Sequence, residues 1–69
     1  MDMNFNHEER MLMMLYNTGT RMGLIHDLRL MQCYLMPDET ALRELSEQVI
    51  EKLKRLTDAE FAGLEFPMN

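Results

Sequence analysis

The chain has 69 residues and a formal net charge of −5, which is length for one domain at most; at this size only about 60% of the surface exposed on unfolding becomes buried. No second domain is left to wall an active-site cleft. The composition, 46% hydrophobic and 28% charged, excludes a disordered chain, and the acid excess sets a phosphate backbone at a disadvantage over most of the surface.

The opening, MDMNFNHEER, has acids where a signal peptide has bases, and the longest apolar run, Met11 to Tyr16, is far short of the roughly 20 residues of a membrane span. Cys33 stands alone, so an internal disulfide is excluded and a reducing compartment fits. These features predict a cytoplasmic protein without export or membrane anchoring.

Asn6, with Glu9 three residues on, has the form of a capping box and opens a helix over 7–16. After a polar first turn, HEER, the run MLMMLY is apolar nearly all round. Met11 and Leu15 centre one face and Met13 the other, which predicts contact from two sides. Asn17-Thr18-Gly19-Thr20 interrupts the pattern. Gly19 suits a left-handed residue and Thr20 can cap the helix that follows, so the link is short and the helix pair antiparallel or steeply crossed.

The second helix, 21–35, carries the stripe Leu24, Leu28, Met31 and Leu35 with Ile25 on its flank. Met22, Leu30, Cys33 and Tyr34 lie off that stripe among His26 and Arg29, so the outer surface is more apolar than a solvated face should be. Met36-Pro37 makes the next turn, because the residue before a proline is disfavoured from helical geometry.

The strongest periodic signal follows, over 37–56, with Pro37 read as the first helical residue and Leu42, Leu45, Val49, Leu53 and Leu56 as the core stripe. Glu44, Glu47, Glu51, Lys54 and Arg55 form its solvated side. Thr57 and Glu60 make a second capping box that opens a short helix over 58–63, and Leu64, Phe66 and Pro67 continue as an apolar tail. That tail either folds back over the outer face of the second helix or packs at the open end of the bundle. No segment alternates with period two. The predicted architecture is therefore all-α: one helical domain, 1–69, built as a small three-helix bundle with a short fourth C-terminal helix.

Catalytic, metal and cofactor sites are not expected. His26 and Cys33 share a helix face, but two ligands fall short of the four of a structural zinc, and the ring is too far along the helix to activate the thiol. The nine methionines suit core filling better than copper, and also suit an adaptable partner-binding surface. The helices flanking NTGT have the outline of a helix-turn-helix with Thr20, Arg21 and His26 near the start of a recognition helix. Asp27 beside them and the acidic chain weigh against DNA.

YNTGTR at 16–21, PDE at 37–39 and LTDAEF at 56–61 resemble the putative transposon-transfer assisting proteins, small proteins of conjugative transposons in Gram-positive gut bacteria. The likeness runs from Met3 to Phe66 and brings no catalytic or ligand residues. It implies a non-enzymatic accessory role in the transfer of the element, assisting or regulating it. Two readings follow: a protein-interaction module, or a small DNA-binding regulator of the same element. For the first, the expected contact residues are Met22, Arg29, Leu30, Cys33 and Tyr34, presented to a protein of the transfer apparatus or to a second copy in a homodimer.

Overall fold

Four helices account for most of the 60 residues, 5–64, that the computed structural model describes. They are α1 (His7–Tyr16), α2 (Arg21–Cys33), α3 (Thr40–Arg55) and α4 (Asp58–Ala62). Each of the first three packs against the other two, and there is no strand among the described residues. The protein is an all-α three-helix bundle closed by a short fourth helix.

Local chemistry sets the helix starts. The Asn6 side chain accepts from the Glu9 amide and the Glu9 carboxylate accepts from the Asn6 amide, both at 2.8 Å. Thr57 and Glu60 repeat the exchange at the start of α4. Between α1 and α2, Asn17 Oδ1 accepts from the Gly19 amide, Gly19 takes φ +100°, and Thr20 Oγ1 accepts from the Gly23 amide at 3.0 Å. Only glycine holds such a φ without strain.

Two helix ends differ from expectation by more than one residue. The second helix stops at Cys33 instead of running to 35, because the Tyr34 and Leu35 amides turn to the carbonyls of Met31 and Gln32 in a tighter i→i+3 pattern. The third begins at Thr40 and not at Pro37. The Glu39 amide donates to the Met36 carbonyl and the Met36 amide to Glu39 Oε1, both at 3.0 Å, so Pro37 occupies the second position of a turn, where its fixed φ fits equally well.

The core joins Leu12 and Met13 of α1, Leu24, Ile25 and Leu28 of α2, and Val49, Ile50 and Leu53 of α3, with Phe5, Leu56 and Phe61 at its ends. On α3 the buried face is Ser46, Val49, Ile50 and Leu53, whereas Leu42 and Leu45 are only half-buried. At 100° per residue the face is turned by roughly 50° from the expected leucine stripe. The reason is that α3 must face two helices at once. Ser46, fully buried, accepts from Gln32 Nε2 at 2.8 Å and donates to the Arg43 carbonyl at 2.9 Å, so its hydroxyl costs little there.

α1 is also simpler than expected. Its Glu9, Leu12 and Met13 side is buried, while the Met11 and Leu15 side lies open, Leu15 at 72%. Nothing among the described residues packs beyond it. Core filling describes Met13 alone among the fully buried side chains; Met11, Met22 and Met36 are exposed. Met14 and Met31 are half-buried, Met31 packed against the core, so the described methionines divide between core and surface.

Glu9 is the least expected core member. Its side chain is 1% exposed and receives Lys52 Nζ on Oε1 at 2.7 Å, with the ammonium 5.4 Å from the centre of the Phe5 ring. Oε2 is buried without a hydrogen-bond partner. A capping glutamate has been drawn inward between α1 and α3.

Candidate docking face

The cap that ends α2 carries the largest exposed ring of the described residues. Tyr34 is 84% exposed and Leu30, one turn before it, 47%. Both border a groove of about 530 Å³ that runs between the end of α1 at Tyr16, the Asp27, Leu30, Met31, Tyr34 and Leu35 side of α2, and the start of α3 at Glu39 and Leu42. Because α2 ends early, Tyr34 sits at the helix cap with its ring held off the bundle. The Met36–Glu39 turn then brings a carboxylate to the far rim.

Of the five residues expected to form one surface, two line this groove, Leu30 and Tyr34. Met22 lies at the other end of α2, against Phe61 and Asp58 of α4 in a smaller hollow of about 280 Å³. Arg29 and Cys33 are exposed but outside both hollows. Tyr16, Asp27, Glu39 and Leu42 were missed as groove residues. Asp27 had a signal, since 27, 30, 31 and 34 follow helical spacing, but the other three are joined to it only by folding.

The tail does not settle on this face over its described length. Phe61 is buried in the core and Leu64 packs beside it; Phe66 and Pro67 lie outside the described residues.

At the opposite end of the bundle, Arg21 bridges α2 to α3 and α4. Its Nε donates to Asp58 Oδ1 at 2.9 Å and its Nη1 to the Leu53 carbonyl at 3.1 Å, one of the last carbonyls of α3. Arg21 is thereby turned away from the role of a free groove-reading side chain. Among the described residues no three His, Cys, Asp or Glu side chains gather as a metal site, and no helix is long and apolar enough to cross a membrane.

The sequence profile of the family described as putative transposon-transfer assisting protein matches residues 5–67, nearly the whole chain. The chain belongs to that family. Neither a curated protein nor a solved structure matches it. The description of the transposon-transfer assisting family points to a role in the transfer of transposons. Within this member, the resemblance blocks at 16–21 and 56–61 meet through the Arg21–Asp58 ion pair, so they are explained at least in part by closure of the bundle. The groove at Leu30 and Tyr34 lies elsewhere on α2.

Proposed function

We propose that this protein is a non-enzymatic accessory module of a conjugative transposon, acting in the cytoplasm through contact with another protein of the transfer apparatus, and that it docks through Leu30 and Tyr34. The observation that carries this reading is an exposed Tyr–Leu pair beside a largely apolar groove. Tyrosine is favoured at interfaces because it supplies a large, rigid area with few torsions to freeze. Exposed Met36, in the turn that follows Tyr34, adds an adaptable margin.

Binding to DNA, the other reading, has less support. The best-placed arginine of the would-be recognition helix is committed to Asp58 and the end of α3, and the formal net charge of the chain is −5.

Mating experiments test the proposal. Cells whose element carries Leu30→Glu with Tyr34→Ser should transfer it at the low frequency of a deletion of this gene, although the variant protein accumulates and folds. A photo-crosslinking residue at position 34 should capture a protein encoded by the element. Wild-type transfer by the folded double variant would overturn the reading, and a salt-sensitive shift of element DNA lost on Arg29→Ala would replace it.

A further inference from the structure

The groove at Leu30 and Tyr34 is chemically lopsided. Its walls are aromatic or aliphatic except for Asp27 and Glu39, and no cationic side chain lines it. Asp27 forms no ion pair among the described residues. Glu39 Oε1 accepts from the Met36 amide, which fixes its carboxylate at the rim, and Glu39 forms no ion pair among the described residues. Half-buried Asp27 and exposed Glu39, set among apolar walls, make the groove a negative focus.

We infer that this groove takes a cationic amphipathic segment of the partner protein: an apolar side chain seated between Tyr16, Leu30 and Leu42, with an Arg or Lys within one helical turn of it reaching Asp27 and Glu39. The inference rests on the proposed docking face and deepens it. Guanidinium fits best, since it can bond carboxylates in pairs and also stack on the Tyr34 ring.

The same charge pattern excludes the competing occupants. A nucleic-acid phosphate or an anionic lipid headgroup would meet two acids. A second copy meeting this groove with its own would set Asp27 and Glu39 against their equivalents, and the exposed ridge of Met11 and Leu15 on α1 carries Glu8 beside it.

Selection of a displayed, randomised helical peptide library against the intact protein tests the inference. Recovered binders should be enriched in Arg or Lys within four positions of Leu, Met or Phe, and should bind more weakly as salt is raised. Synthetic copies of them should lose roughly tenfold or more in affinity to Asp27→Asn with Glu39→Gln, the size of a lost charge-assisted contact, and should lose binding to Tyr34→Ser. Neutral or acidic binders, binders indifferent to either variant, or an empty selection would overturn it. A position-34 crosslink to an element-encoded protein in cells, obtained together with any of those results, leaves the docking face standing and removes only the charge claim. Absence of the crosslink as well removes both.

Discussion

Glu9 shows how one residue can serve two levels of structure. As the third helical residue it completes the α1 cap, and as a side chain 1% exposed it meets Lys52 across the α1–α3 contact. A buried pair of this kind is weak support for stability as a whole, but removing one partner strands a charge. Lys52→Met should therefore destabilise the protein by about 3 to 5 kcal/mol, while Lys52→Met with Glu9→Gln should recover most of the loss, because the glutamine can still accept from the Asn6 amide. Urea unfolding of the two single variants and the double variant measures the coupling. Additive effects would mean that the pair acts through separate contacts. Capping by Glu9 was legible from its place three residues after Asn6; its burial was not, since nothing in HEER marks which polar residue will face another helix.

Along the elements, α3 separates periodicity from burial. Ile50 is fully buried and Leu45 half-buried, so Ile50→Ala should cost about 2 to 5 kcal/mol and Leu45→Ala clearly less. Equal losses in thermal or chemical melts would restore the leucine stripe as the core face. α2 offers a second test at Gly23. Replacing a helical glycine by alanine normally stabilises by up to about 1 kcal/mol. Here a Cβ would run into the Thr18 and Thr20 hydroxyls, and the Thr20 hydroxyl caps the helix. Gly23→Ala should therefore fail to stabilise the protein, because losing a cap worth about 1 kcal/mol offsets a helical gain of similar size. A raised melting temperature would show that both threonines swing away without loss.

For the whole molecule, the division is between a closed end and an open one. The closed end is built by Arg21, Asp58 and Leu53, with Phe61 seated in the core; the open end is the groove with Leu30 and Tyr34. Substitutions at the open end should be tolerated by the fold. Leu30→Glu with Tyr34→Ser should shift stability by no more than about 0.5 kcal/mol, as exposed sites generally do, and leave the circular dichroism spectrum unchanged. Failure to fold would place these side chains in the core and end the docking proposal. Arg21→Met, by contrast, should loosen α4, seen as faster amide exchange at Phe61 and Ala62 with α1 retained.

The helix count, the two capping boxes, the left-handed Gly19 and the excess of apolar side chains on α2 were determined by the sequence itself, because each depends on residues within about one or two helical turns of one another. The sequence also carried the family, through the short blocks at 16–21, 37–39 and 56–61. Only the tertiary structure decided which apolar residues are core. Leu15 and Ile50 have similar side chains and both follow helical spacing, yet one is exposed and the other buried. Their fates depend on where two other helices lie. The groove is of the same kind: Tyr16, Asp27, Glu39 and Leu42 come from three helices and a turn, and neighbours that far apart in the chain are set by crossing geometry, for which local periodicity holds no information.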